Sequence, residues 1–254
     1  MEKLRDLIDP IVILARDRFG ITALTPLQRY VIANTLDGIN QLVVLPTGAG
    51  KSLCFLLPSV LLPGPTLVVV PLLSLLADQL RRLRERGTPC DCLRGGQTDA
   101  ERRAVWKRLG DGTARICFVT PEMLGNGRVC SGLAAVKVAH VVVDEAHCVS
   151  EWGKSFRPAY RKLGAVLERL GNPLVSAFTA TASPAIAADI ERVLFRDRDW
   201  RFLDEAPDRP NLFYRVRRTV SKNAVLSRLA AVEARPLVVF VQSRSGAERA
   251  ARLL

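Results

Sequence analysis

The sequence predicts an α/β fold, a doubly wound parallel sheet followed by the beginning of a second, similar domain. Three observations predict it. Short Val- and Leu-rich runs alternate with longer amphipathic segments, the pattern of strands covered by helices on both faces. A glycine-rich loop directly follows the first such run and opens an apolar helix. A stretch rich in Pro and charge, 204–220, then interrupts the rhythm before it resumes.

Taken in order, the predicted strands are 42–45, 67–70, 116–119, 138–143, 174–178 and 237–241. Between them, apolar residues at helical spacing predict helices over 73–86, 99–109, 160–170 and 184–194, with two more from about 222 to 232 and from Ser243. The expected organisation is one domain over 1–205, a linker over 206–221 and an incomplete second domain over 222–254. That last piece is too short to fold as an α/β domain by itself.

With 48% hydrophobic and 24% charged residues, the chain can bury a sizeable core, which excludes disordered, collagen-like and coiled-coil readings. Its 37 basic residues against 25 acidic ones give a net charge of +12, which favours a polyanionic partner such as nucleic acid. Thirty of the 37 are Arg, a bias that genome base composition also produces, so the charge is support rather than proof. Cys54, Cys90, Cys92, Cys117, Cys130 and Cys148 are scattered, mostly in apolar runs, as expected of reduced thiols in a cytoplasmic protein. Cys90 and Cys92 have no second pair at zinc-finger spacing, so no structural zinc is expected. Met1 to Asp9 mixes acids and bases, unlike a secretory signal. The uncharged stretch 53–77 is long enough for a membrane span. Pro58, Pro63, Gly64, Pro65 and Pro71 break it into strand-sized pieces, which a bilayer would not tolerate.

The glycine-rich loop is Pro46-Thr47-Gly48-Ala49-Gly50-Lys51-Ser52. Its glycines permit a path that turns successive N–H groups toward phosphate oxygens, and the helix that follows adds its dipole. Thr47, Gly48, Ala49 and Gly50 would cradle the phosphates, Lys51 would reach the β- and γ-phosphates, and Ser52 would ligate Mg²⁺. The usual first glycine of such loops is replaced by Leu45. A second acidic signal, Asp144-Glu145, ends the Val-rich run 141–143, and the carboxyl ends of parallel strands are where such sheets bind ligands. Asp144 can hold Mg²⁺ and Glu145 can orient and deprotonate an attacking water.

Asp144-Glu145-Ala146-His147 and the segment 148–160 after it resemble superfamily 2 helicases, and within them the RecQ family of ATP-dependent DNA helicases. The resemblance extends through Phe19-Gly20 and Gln28, the phosphate loop, Pro71-Leu72-Leu73-Ser74-Leu75, Val119-Thr120-Pro121-Glu122, Phe178-Thr179-Ala180-Thr181-Ala182, Asp208-Arg209-Pro210-Asn211-Leu212 and 240–244. It implies two RecA-like domains, ATP and Mg²⁺ as cofactors, and single-stranded and branched DNA as partners. It also implies 3′-to-5′ translocation, a role in DNA repair or recombination, and a cytoplasmic, nucleoid-associated setting in a bacterium. Residue by residue, Gln28 would read adenine, and His147 would reach toward the γ-phosphate region or Gln28. Thr179 and Thr181 would couple hydrolysis to domain motion. Ser74, Thr120, Trp152, Phe156 and Arg157 would contact DNA, the aromatics by stacking on bases.

Departures from the family pattern are Thr25, where Arg is common, and Glu151, Lys154 and Ser155, where Gln, His and Asp are usual. Thr25 weakens the case for contact with the base there, whereas Trp152, Phe156 and Arg157 remain, so DNA contact is expected to persist while its coupling to hydrolysis is altered. The family's second domain supplies an arginine finger, and Arg244, Arg249 and Arg252 precede its position. Weak hydrolysis and unwinding by these 254 residues alone are therefore expected. Competing expectations are an RNA helicase of the same superfamily and a non-catalytic, nucleotide-dependent DNA-binding module.

Overall fold

The computed structural model describes residues 10–71, 76–85, 87–150, 158–205, 212–233 and 236–254. The chain divides into two compact units, 1–207 and 208–254. In the first, α1 (Pro10–Phe19) and α2 (Pro26–Leu36) precede β1 (Asn40–Val44), α3 (Lys51–Ser59), β2 (Thr66–Val69) and α4 (Leu76–Glu85). There follow β3 (Cys90–Leu93), α5 (Asp99–Gly110), β4 (Ile116–Val119), the short α6 (Pro121–Leu124), α7 (Gly127–Ala135) and β5 (His140–Val143). Two 3-10 turns, Ala146–Val149 and Tyr160–Lys162, lead to α8 (Leu163–Arg169), β6 (Leu174–Thr179) and α9 (Pro184–Ile190). A π-helical turn (Glu191–Phe195) and β7 (Trp200–Asp204) complete this unit, and the second contains α10 (Lys222–Val232) and α11 (Arg244–Leu253).

Helix starts follow from local chemistry. Thr25 and Thr98 each accept a hydrogen bond from the backbone three residues on, while Gln28 and Glu101 return the bond to the capping residue's own N–H. Each such pair satisfies two otherwise orphaned donors. All seven strands pair in parallel, in the order β3-β4-β2-β5-β6-β1-β7. One face of the sheet packs α5, α7, α8 and α9 through Val105, Leu133, Leu167 and Ile190. The other packs α1, α2, α3 and α4 through Ala15, Ile32, Leu57 and Leu80. The uncharged stretch that could have been a membrane span is thus divided between α3 and β2, both largely buried. Among the described residues, no helix is long and apolar enough to cross a membrane.

Two strands lack the apolar run that would reveal them. In β3, Asp91 interrupts the run, yet it is held by a two-pronged contact from Arg108 on α5, at 2.7 and 2.9 Å. The edge strand β7 mixes Arg201 and Asp204 with apolar residues and is only partly covered. The predicted strand over 237–241 is not one. Strands persist by pairing, and the described residues of its own unit hold two helices and no second strand.

Gly132 on α7 has a packing role. A Cβ there would overlap the Trp106 indole on α5, so the indole lies directly on the helix backbone. Elsewhere, near the amino ends of the central strands, a buried polar chain crosses the sheet. His140 Nε2 meets Ser176 Oγ at 2.9 Å. Gln41 Nε2 donates to Ser176 Oγ at 3.3 Å and to Thr35 Oγ1 at 2.9 Å. Burial pushes the His140 pKa down to about 3, so the folded protein keeps this imidazole neutral.

Two outcomes are expected. Replacing Gly132 by Ala lowers stability by about 1–3 kcal/mol, measured by chemical denaturation, and trimming Trp106 to Leu in the same chain recovers part of the loss. Because the unfolded state binds the His140 proton more readily, its contribution is complete above pH 6.5 and is lost as pH falls toward 3. The His140→Asn variant therefore has a flatter stability profile over that range than the parent.

Candidate active site

The phosphate loop hangs between β1 and α3. Leu45 N–H donates to the Thr179 carbonyl at 3.0 Å, so the loop leaves the sheet still tied to β6. Gly48 and Gly50 adopt φ of 85° and 77°, a region that side chains disfavour. At Gly50 space is also short, since a Cβ would stand 2.7 Å from Gln28 Nε2. Gly50 caps α3 without any side-chain acceptor, unlike Thr25 on α2 and Thr98 on α5. The first N–H groups of α3 and its dipole are therefore suited to an anion supplied from outside. Lys51 Nζ donates to the Leu45 carbonyl at 3.1 Å across the base of the loop, and Ser52 is exposed in the first helical turn.

Gln28 holds this loop to α2. Its Oε1 accepts from Thr25 N–H at 2.9 Å and its Nε2 donates to the Ala49 carbonyl at 2.9 Å. Thr25, the departure from the family pattern, is the capping residue of α2. The bond to Ala49 joins residues 21 apart, so no local pattern in the sequence announces it.

Sheet order brings the acidic pair to the same end. β6 lies between β5 and β1, so the loop after β5 and the loop after β1 emerge on either side of Thr179. Asp144 N–H donates to the Val69 carbonyl at 2.9 Å, extending the β5 ladder by one step. Glu145 turns into the left-handed region at φ 50°, and its N–H donates to Asp144 Oδ1 at 3.0 Å. Such backbone is characteristic of sites where geometry is imposed from outside. Burial and then the neighbouring Glu145 charge push the Asp144 carboxyl above its ordinary range, while the Lys51 ammonium draws it back down. The Glu145 N–H bond and then the Lys51 charge are what lower it.

His147 Nδ1 pairs with Thr179 Oγ1 at 3.1 Å and lies 3.4 Å from Glu145 Oε2. It does not pair with Gln28, whose amide is committed to Thr25 and Ala49. Thr179 Oγ1 also donates to the Thr181 carbonyl at 2.9 Å, so the acidic turn and the segment entering α9 meet at one hydroxyl. Thr120 caps α6, its Oγ1 accepting from Met123 N–H at 3.4 Å. Ser74, Trp152, Phe156 and Arg157, with Glu151, Lys154 and Ser155, lie outside the described residues. Among the described residues no three His, Cys, Asp or Glu side chains converge to hold a metal alone. Asp144 and Ser52 nevertheless suit Mg²⁺, which takes one or two protein ligands and completes its shell with phosphate and water.

Residues 25–190 match the model of the DEAD/DEAH box helicases. The chain is 39% identical over 199 residues to the probable ATP-dependent DNA helicase RecS of Bacillus subtilis, covering 78% of this chain and 40% of that protein. It is 35% identical over 237 residues to the ATP-dependent DNA helicase RecQ of Pasteurella multocida, covering 93% and 37%. It spans less than half the length of these relatives. In fold it is similar to the DUF1998 helicase MrfA bound to DNA and AMPPNP, with a TM-score of 0.66 and 22% identity over 88% of this chain and 34% of that one. Since the family match runs from the cap of α2 into α9 and takes in both loops of the site, the chain belongs to the DEAD/DEAH box helicases, with RecQ-type helicases among its relatives.

Proposed function

We propose that this chain is the nucleotide-binding part of an ATP-dependent DNA helicase that moves 3′ to 5′ on single-stranded DNA and opens duplex or branched DNA. The observation that carries the reading is the arrival of the phosphate loop and the Asp144–Glu145 turn on either side of Thr179 at one end of the sheet, close enough for the Lys51 charge to lower the Asp144 pKa. That pairing suits a polyphosphate with its magnesium. Mg²⁺-bound ATP supplies a transferable γ-phosphoryl group and a cation that offsets developing charge.

The protein's part is to hold and orient. Gly48, Ala49, Gly50 and the first turn of α3 receive phosphate oxygens, with Thr47 beside them. Lys51 leaves the Leu45 carbonyl for the β- and γ-phosphates. Ser52 and Asp144 hold the metal, and Glu145 takes a proton from the attacking water. His147 restrains Glu145 from one side while bonded to Thr179, so a change at the acidic turn is felt at Thr179, Thr181 and α9. Thr120, whose hydroxyl hydrogen is not used in capping α6, can donate to a DNA phosphate. Ser74, Trp152, Phe156 and Arg157 complete the DNA contacts in this reading. The +12 net charge and the DNA helicases among the relatives support DNA as the track. Arg244, Arg249 and Arg252 do not match the family's arginine finger, and slow turnover by these 254 residues alone belongs to the same proposal.

The test is ATP turnover by the whole protein with single-stranded DNA, with RNA and with neither. Stimulation by DNA and not by RNA is expected; equal stimulation favours the RNA helicase, and no turnover the non-catalytic binding module. Glu145→Gln is expected to lower turnover by roughly 10²- to 10⁴-fold while nucleotide binding persists, and Lys51→Ala to weaken binding itself. A Glu145→Gln protein as fast as the parent would remove Glu145 from its role.

A further inference from the structure

The segment over 19–28, which resembles a reader of adenine, leaves a base little to bind. Phe19 is its only aromatic ring, and none of its side chains carries a charge. That ring is buried in the core with Ala15, Ile32 and Leu57, as is Leu24. Ile21 packs against the same core, and its N–H donates to the Ala15 carbonyl at 3.1 Å, so this stretch is folded back onto α1. Tyr30 is exposed but stands about 200° round α2 from Gln28.

Gln28 is the one side-chain amide in the segment, and it is turned inward. It is 7% exposed, its Oε1 accepts from Thr25 N–H and its Nε2 donates to the Ala49 carbonyl. A Cβ on Gly50 would stand 2.7 Å from the same Nε2, so the amide fills the space behind the phosphate loop. Reaching a base would mean giving up the bond to Ala49 and one of the two bonds of the α2 capping box. Thr25 takes the Gln28 N–H at its hydroxyl oxygen, which leaves a single hydroxyl hydrogen to offer. One such donor cannot tell adenine from guanine, since both present N7 as an acceptor. The phosphate loop is built otherwise, because its amides are offered to the part of a nucleotide that does not vary with the base.

We propose that this chain selects its substrate by the magnesium triphosphate and not by the base, so that GTP, CTP and UTP are hydrolysed alongside ATP, each with water to its diphosphate and inorganic phosphate. Gln28 is then a positioning residue of the phosphate loop rather than a reader of adenine. The inference rests on the nucleotide-hydrolysis part of the reading above and widens its substrate class. A site that hydrogen-bonds a substrate group rejects analogues lacking it by roughly 10⁴- to 10⁵-fold, whereas apolar contact discriminates far less. Residues 19–28 offer a base the second kind of contact and one hydroxyl.

The experiment measures kcat and KM of the whole protein, with saturating single-stranded DNA and Mg²⁺, for ATP, GTP, CTP and UTP, in the parent and in Gln28→Ala. The four kcat/KM values of the parent are expected to lie within about tenfold of one another. Gln28→Ala is expected to raise KM for all four by a common factor of roughly 2 to 10, the mark of a loop that has lost its brace. A parent that prefers ATP by more than about tenfold overturns the proposal. So does a Gln28→Ala protein whose KM rises for ATP alone, which would return adenine reading to Gln28, or for none of the four. Should that variant fail to fold, the four parent values decide the matter. A parent that hydrolyses none of the four overturns the helicase reading itself, whereas hydrolysis of ATP alone leaves that reading standing and removes only this inference.

Discussion

The placing of the phosphate loop and the Asp144–Glu145 turn on either side of the Thr179 strand end organises the carboxyl end of the sheet. It exists because the chain leaves β1, crosses to β2 and fills the intervening places later with β5 and β6. Two loops far apart in sequence are thereby set on either side of one strand end. Asp144 is held there against its own preference, since burial and the Glu145 charge both favour its protonated form. A site that keeps a largely covered carboxylate beside a second, half-exposed one is ill-suited to stand alone and well-suited to a cation. The lysine offsets part of that unfavourable charge, and a magnesium ion would offset more.

The same end of the sheet concentrates restraint. Glu145 holds a left-handed backbone, Gly50 leaves no room for a side chain beside Gln28, and one threonine hydroxyl at 179 serves both His147 and Thr181. At the opposite end, the His140–Ser176–Gln41 chain links β5, β6 and β1 within the core, although His140 Nδ1 is left without a hydrogen-bond partner among the described residues.

Much of this was legible in the sequence, for identifiable reasons. Strands β1, β2, β4, β5 and β6 are apolar on both faces and so announce themselves, and a phosphate loop between strand and helix has few other meanings. β3 and β7 were hidden because Asp91 and Arg201 break the apolar pattern, each held by a long-range bond, to Arg108 and to Asn34. The expected strand over 237–241 had the right composition, but the described residues of its own unit offer no second strand to pair with. Within the site, residue types and their order were readable, whereas the contacts that orient them were not. Gln28 to Ala49, His147 to Thr179 and Ser150 to Asp189 link residues 21 to 39 apart, and no periodicity connects positions so separated.

The most direct measurement is the titration of the Asp144 carboxyl, followed by carbon NMR, in the parent protein and in Lys51→Met. If the two loops face a common space, removing the ammonium raises the Asp144 pKa further above its ordinary value. An Asp144 that titrates identically in both proteins would contradict a shared nucleotide site.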